Sequence, residues 1–270
     1  MPMMPVPSGM STPLGTSAMH LSPIMAVALE FKKMRHKHLV ALSAVLLAFQ
    51  LLWIAVIVSQ TVKQTNEFIA VFFQMPIMNA IFLPLLSAIV ASTACDVENR
   101  GNMYKELLTM QRPRTLFSAK WVCVAIILGV FVSLQTTSVV LFSSSRGFVN
   151  LPGPAFLALY GVSTFAVCLL VATVVQVLSL FSPSQFLPLA TGVGLSFLGL
   201  FSMFLPQAVS RLVPSAYFGL LGMVDMAFDS VTGSSTFSTR PWPIGDFIVV
   251  VAATAVIYIL AGRAFSRREL

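Results

Sequence analysis

Five amide side chains lie inside long apolar runs, where they could form hydrogen bonds with a small molecule. They are Gln50, Gln74, Asn79, Gln135 and Gln176. An amide donates and accepts hydrogen bonds without carrying charge, so such residues can line a translocation path for an amphipathic substrate. They can equally hydrogen-bond one helix to another and stabilise the packing. The sequence leaves both interpretations open.

The apolar runs lack the groups that power ion-coupled transport. Proton- and sodium-coupled carriers bury carboxylates or arginines near the membrane midplane. Here all nine acidic residues fall at the ends of the apolar runs or between them. We therefore expect this chain to take its driving energy from a partner.

Enzymatic chemistry is not indicated by any motif. The only histidines are His20, His36 and His38, all before the first apolar run, so no membrane-embedded serine has a histidine base. The sequence contains no HExxH, Walker A or GxGxxG motif, and its three cysteines are far apart. We predict no enzyme, no metal site and no cofactor held by this chain.

The elements that must hold the amides are membrane spans. Of 270 residues 57% are hydrophobic and only 9% charged, whereas about a quarter of a soluble domain is charged. This composition excludes a water-soluble globular protein, and it also excludes simple disorder. The fold class that we predict is all-α, a polytopic membrane protein with six transmembrane helices. The six apolar runs are residues 39–59, 68–94, 116–142, 154–181, 185–205 and 244–262.

Basic residues predict the orientation of these spans. Twelve of the 16 lysines and arginines lie before the first span, between spans two and three with the start of span three, or at the C-terminus. The positive-inside rule then places both termini in the cytoplasm and residues 206–243 outside. The net charge of +7 therefore does not indicate nucleic acid. Within the external loop, residues 217–228 are apolar but too short to span, which predicts an interfacial or re-entrant helix.

The segments before the first span have two different compositions. Residues 1–23 are rich in Met, Pro, Ser and Gly, which predicts a disordered tail. Residues 24–38 have helical periodicity, with Phe31 on the apolar side and Glu30, Lys33 and Lys37 on the opposite side. We expect this amphipathic helix to lie at the inner membrane surface.

The loop at residues 96–114, between spans two and three, has the pattern of a short helix that stops at Pro113. Val97, Gly101, Tyr104 and Leu108 share one face of that helix. Such a face can dock into a groove on a soluble partner. It can also lie on lipid headgroups, and the pattern alone does not choose between the two.

Residues in these inner segments carry a resemblance to a known family. The amphipathic helix has a Glu-x-x-Lys pattern in Glu30, Phe31, Lys33 and Arg35. The loop and the start of span three contribute Glu98, Tyr104, Lys105, Leu107, Pro113, Arg114 and Lys120. Over residues 25–270 the chain resembles the ABC-2 type permeases, particularly the lantibiotic-immunity and bacitracin-resistance branch of bacterial ABC transporters. The Met- and Pro-rich tail, and Tyr104 where a Trp is common, depart from that pattern.

The resemblance implies that residues 98–110 form a coupling helix seated on a separate ABC ATPase subunit, which would hold ATP and Mg. The residues implied in coupling are Glu98, Gly101, Tyr104, Lys105, Leu107, Leu108, Pro113 and Arg114. A second permease subunit, identical or paralogous, would complete the pathway in the bacterial plasma membrane. The implied cargo is an amphipathic peptide antibiotic, moved outward. Two alternatives remain at this point: the substrate-binding component of an energy-coupling importer, and a non-transport membrane scaffold.

Overall fold

The computed structural model describes residues 23–35, 39–61, 67–101, 113–182, 184–228 and 235–266, and most of them are helical. The predicted tail lies outside the described residues, except for Pro23. Long apolar runs account for the main helices, since a helix satisfies its backbone groups internally. These helices are α1 (Pro23–Arg35), α2 (Leu39–Thr61), α3 (Phe68–Gly101), α4 (Pro113–Ser145), α5 (Pro154–Phe181), α6 (Phe186–Ser202) and α7 (Ile244–Ser266).

Five of these helices, α2, α3, α4, α5 and α7, are long and apolar enough to cross a membrane. Helix α6 is also apolar but has only 17 residues, at the short end of the range for a span. Helices α3 and α5 are the most buried of the five, and α2 and α7 are the least buried. The bundle therefore has α3 and α5 at its centre.

The core forms where small residues let the central helices approach each other. Ala80, Ala88 and Ala91 of α3 are fully buried against residues of α4 and α5. A Cβ added to Gly192 of α6 would collide with the Cβ of Ala88. Gly192 therefore permits the close approach of α6 to α3, whereas Gly194 has open space around it.

The predicted boundaries shift at the inner ends of spans two and three. Residues 96–101 continue α3 instead of beginning a separate helix, and Pro76 and Pro84 lie within α3 without ending it. Pro113 is the first residue of α4, a position that proline favours because the first helical N–H needs no partner. The predicted loop helix at residues 102–112 lies outside the described residues.

The predicted external loop contains strands where a helix was expected. Pro214–Ala216 and Tyr217–Leu220 each form a single helical turn, and β1 (Val224–Phe228) pairs antiparallel with β2 (Ser235–Thr239). The prediction of an interfacial helix at residues 217–228 is thus wrong for β1. The predicted all-α class is corrected to a helical bundle with one small β-hairpin. The backbone groups of β1 pair with those of β2, which comes later in the chain. A helical pattern read from residues 217–228 alone cannot reveal such a pairing.

Candidate functional site

Three of the five predicted amides meet in the middle of the bundle. Asn79 of α3 accepts hydrogen bonds from Gln50 Nε2 of α2 (3.3 Å) and from Gln135 Nε2 of α4 (2.5 Å). Its own Nδ2 donates to the hydroxyl of Tyr160 on α5 at 2.8 Å. The three amides are at most 1% exposed. The network therefore joins four spans and is closed to solvent in this conformation.

The network has unused hydrogen-bonding capacity. Among the described residues, Gln50 Oε1 and Gln135 Oε1 are buried and have no hydrogen-bond partner. A buried acceptor without a donor costs about 1–3 kcal/mol. The two oxygens can therefore accept from a donor that enters the bundle.

The other two predicted amides lie away from this network. Gln176 is fully buried on α5, where its Nε2 donates to the carbonyl of Phe117 at 3.4 Å. Gln74 is half-buried, five residues before the network residue Asn79 on α3. The structure thus brings together Gln50, Asn79 and Gln135, and Tyr160 joins them from a position that the sequence analysis did not single out.

The amphipathic helix α1 is fastened to the start of α4 by a buried ion pair. Lys120 Nζ lies 2.9 Å from Glu30 Oε2 and donates a second hydrogen bond to the carbonyl of Ala94 at 2.8 Å. The two charged side chains are 0% and 4% exposed. The assignment of Glu30 to the polar side of α1 was therefore wrong, because Glu30 faces the bundle.

The side of α1 that faces away from the bundle exposes apolar side chains. Met25 and Leu29 are 54% and 39% exposed, while Phe31 packs on the core cluster. Lys32 is exposed, and Lys33 and Arg35 lie in the last turn of the helix. Exposed apolar side chains beside lysine suit a helix that touches both lipid and headgroups.

Of the predicted coupling residues, Glu98 and Gly101 fall in the last turn and a half of α3, and Pro113 and Arg114 open α4. Arg114 is exposed, and its carbonyl accepts a hydrogen bond from Ser118 Oγ. The remaining four, Tyr104, Lys105, Leu107 and Leu108, lie outside the described residues. Their predicted docking face stays a prediction.

At the opposite end of the bundle, Arg240 holds the segment before β1. Its Nε donates to the carbonyl of Gly222 at 2.5 Å, and its Nη2 donates to those of Leu220 (2.9 Å) and Gly219 (3.4 Å). Its Nη1 lies 3.5 Å from Asp225 Oδ1. A planar guanidinium suits such a set of divergent acceptors, which a lysine cannot reproduce.

A second ion pair ties this loop to α7. Arg211 Nε lies 2.9 Å from Asp246 Oδ1 in the first turn of α7, where the helix dipole also favours a carboxylate. The hydroxyl of Tyr217 donates to the carbonyl of Arg211 at 3.0 Å. Burial, and then the Asp246 carboxylate, raise the pKa of Tyr217. Tyr217 therefore stays a hydrogen-bond donor at physiological pH.

Two cavities lie under the clamped segment. The inner one has a volume of about 10 Å³, with Tyr160, Ser163 and Thr164 among its lining residues. That is room for about one water molecule. The outer one measures about 310 Å³ and has Asp225 and Arg240 in its lining. The two share Pro76, Gly222 and Val224 in their walls.

Residues 26–201 match the family model of the ABC-2 family transporter protein. That is nearly two thirds of the chain. The chain belongs to this family. No curated protein matches the sequence at a significant level.

Membership of the ABC-2 family agrees with the predicted permease class. It makes the chain a multi-pass membrane transport subunit and implies an ABC ATPase as partner. The match runs from α1 to the end of α6 and stops before the hairpin and α7. The Glu30–Lys120 pair and the amide network therefore lie in the matched part, and Arg240 lies beyond it.

Sequence reasoning missed the pairings between residues that lie far apart along the chain. Tyr160 reaches Asn79 across 81 residues, and Lys120 reaches Glu30 across 90. Arg240 clamps carbonyls about 20 residues earlier. One signal was available for Lys120, since a lysine within an apolar stretch needs a partner.

Proposed function

We propose that this chain is the permease subunit of an ATP-driven exporter for a hydrophobic or amphipathic compound, with a peptide antibiotic as the expected cargo. A separate ABC ATPase subunit would supply the energy and hold ATP and Mg. A second permease subunit, identical or paralogous, would complete the pathway. Within the ABC-2 family, the lantibiotic-immunity and bacitracin-resistance branch is our assignment.

One observation supports this proposal most directly, the distribution of buried polar groups among the described residues. The buried charged side chains, Glu30, Lys120 and Asp246, lie near the two ends of the bundle. Its middle offers neutral amides and hydroxyls. A path of this kind suits a cargo with much apolar surface and few charges, and it holds no carboxylate for proton or sodium coupling.

The proposal includes a six-span topology. Helix α6 is about 25 Å long, and only residues 182–185 separate it from α5 along the chain. If α6 crosses the bilayer with the five longer helices, both termini lie on the cytoplasmic side of the plasma membrane. That arrangement puts α1 and the junction of α3 and α4 on the side where an ATPase would bind.

The ATPase partner is tested by purifying the tagged full chain from cross-linked native membranes and identifying co-purified proteins by mass spectrometry. We expect an ABC ATPase with the wild-type chain, and we expect Tyr104→Asp and Leu108→Asp to reduce its recovery at least about tenfold, because a buried carboxylate opposes docking. Leu212→Asp is the matched control, since Leu212 is 81% exposed in the predicted external loop.

Equal recovery of the ATPase with all three variants would contradict the docking face. Recovery of no ATPase with the wild-type chain would contradict the permease assignment itself.

Export is then measured as ATP-dependent uptake of a labelled cationic peptide antibiotic, such as nisin, into inside-out vesicles. Uptake that does not depend on ATP would contradict an ATP-driven exporter.

A further inference from the structure

We propose that the hairpin of β1 and β2 lies on the outer leaflet of the membrane, with one of its two faces in contact with lipid acyl chains. This lipid contact is additional to the proposed transport function and involves residues beyond the family match. That the leaflet is the outer one depends on the proposed six-span topology, whereas the contact with lipid does not.

The register of the two strands gives the hairpin two unlike faces. Directly opposed residues of antiparallel strands lie on the same face, and successive residues lie on opposite faces. The apolar face holds four apolar and two hydroxyl side chains: Val224, Met226, Phe228, Ser235, Phe237 and Thr239. The polar face holds one carboxylate, one methyl and two hydroxyl side chains: Asp225, Ala227, Thr236 and Ser238. All four residues of the polar face are exposed. This alternation is typical of a strand pair that is covered on one side and meets water on the other.

The end of the apolar face nearest the bundle is packed against α3. Val224 is 8% exposed and belongs to a core cluster with Phe72. The ring centroid of Phe237 lies 5.6 Å from that of Phe73. Phe73 is in the second turn of α3, which begins at Phe68, so it lies about 8 Å along the helix axis from that end. The apolar face is therefore the one that contacts a membrane-spanning helix.

The rest of the apolar face is uncovered. Met226, which is directly opposite Phe237, is 44% exposed, and Phe228 is 64% exposed. Exposure of such side chains to water is unfavourable, and a two-stranded hairpin is at best marginally stable in water by itself. Acyl chains around the end of α3 can cover both side chains without changing the pairing of the strands.

The residues after β2 place the hairpin near the membrane surface. Trp242 comes three residues after the end of β2 and two before the start of α7. Its Nε1 donates to Ser163 Oγ, in the third turn of α5, at 2.9 Å, and its ring centroid lies 4.8 Å from that of Phe247. A tryptophan at the end of a spanning helix is typical of the boundary between lipid and water. The hairpin thus begins and ends close to that boundary.

The size and charge of the uncovered surface favour lipid over a protein partner. It consists of Met226 and Phe228 on a face without any charged residue. A stable protein interface has about 20–30 residues on each side, so two side chains are too few for one. Apolar side chains beside a polar opposite face are the pattern by which segments lie in the membrane surface.

The lipid contact is tested with nitroxide labels on single cysteines. Met226→Cys, Phe228→Cys and Ala227→Cys are made in the full chain with the three native cysteines replaced by alanine, and the protein is reconstituted in lipid nanodiscs. Power-saturation electron paramagnetic resonance measures collisions with oxygen, which concentrates in hydrocarbon, and with a water-soluble nickel chelate. We expect the ratio of oxygen to nickel collisions at positions 226 and 228 to exceed that at the matched control Ala227→Cys at least about threefold.

A second pair of labels leaves both exposed apolar side chains in place. Ser235→Cys is on the apolar face, opposite Phe228, and Thr236→Cys is next to it on the polar face. We expect the same difference between these two positions, with an unchanged size-exclusion profile. A hairpin that is loosened only by the loss of Met226 or Phe228 would still show this difference.

Two results would overturn the lipid contact. Equal ratios on both faces, in both sets of labels, would show that the hairpin stands in water. Few collisions with either reagent at positions 226 and 228, with dipolar broadening that disappears on dilution with unlabelled chain, would show that a second copy covers the apolar face. These measurements need no ATPase, so the lipid contact can fail while ATPase recovery still supports the permease. Labelling of Leu212→Cys from the cytoplasmic side would overturn the assignment to the outer leaflet.

Discussion

Lys120 has the most demanding environment of the charged side chains that the structure describes. It is fully buried in α4, and its ammonium donates hydrogen bonds to the Glu30 carboxylate and to the backbone carbonyl of Ala94. Taking both ions out of water is costly, so the pair adds little net stability over an apolar substitute. Its value is positional: it keeps α1 and α4 at a fixed distance.

Breaking this pair on one side only is expected to destabilise the protein strongly. Glu30→Gln removes the carboxylate that lies 2.9 Å from the buried Lys120 ammonium, and we expect a loss of about 3–5 kcal/mol. The measurement is the unfolding midpoint of the purified full chain in detergent.

The double variant Glu30→Leu with Lys120→Met is expected to recover most of that loss, because no unpaired charge remains. Lys32→Met is the control on the same helix, since Lys32 is exposed, and it should change stability little. If Glu30→Gln is as stable as Lys32→Met, the buried pair does not hold α1.

At the scale of elements, the tight contact between α3 and α6 depends on one glycine. Gly192 faces Ala88, and its position would also bring a Cβ within 3.4 Å of the Pro84 carbonyl. Close helix approach through small residues is the usual means of association in a membrane, where burial of apolar surface gives no advantage over lipid.

Gly192→Ala is expected to push α6 away from α3 and to cost about 1–3 kcal/mol, as overpacking does elsewhere. Gly194→Ala is the matched control two residues along the same helix, because nothing lies within 4 Å of its Cβ position. Thermal unfolding of both variants in the same detergent gives the comparison. Equal midpoints for the two would show that the contact is not tight.

The elements of this fold were predictable to the extent that their signal is local. Long apolar runs predicted the helices. The hairpin was missed because residues 217–228 form a short apolar stretch, which was interpreted as a helix, and because the second strand is Ser- and Thr-rich. The strand needs a partner that only the folded chain supplies.

The candidate site divides in the same way. The amides Gln50, Asn79 and Gln135 stood out because they are polar within apolar runs, and the structure brings the three together. Their place in a translocation path stays a prediction. Glu30 was assigned to the wrong side of α1 because the interpretation of an amphipathic helix assumes that charged side chains face water or headgroups. Its partner Lys120 lies on another helix, and only the tertiary structure brings the two together.

At the scale of the whole molecule, the number of crossings decides which surfaces face the cytoplasm. Five helices satisfy the length of a span, and the 17-residue α6 is the sixth apolar helix of the described chain. If α6 crosses the membrane, the residues just before it and just after it lie on opposite sides. Labelling one position before α6 and one after it from a single side of the membrane therefore tests the crossing.

Single cysteines at Ser184 and Leu212 test this in a background without the three native cysteines. Both positions are exposed. With a membrane-impermeant maleimide on whole cells, we expect Leu212→Cys to react and Ser184→Cys to react only after permeabilisation. Labelling of both positions from the same side would contradict the crossing of α6.

Helix α3 also has a mechanical consequence. At 34 residues it is about 51 Å long, against a hydrocarbon thickness of about 30 Å. Pro76 and Pro84 each remove one backbone hydrogen bond, so this long rod has two points of low bending stiffness. Pro76 lines both cavities and Pro84 faces Gly192. A bend at Pro76 would therefore change the width of the cavities, and a bend at Pro84 would change the spacing between α3 and α6.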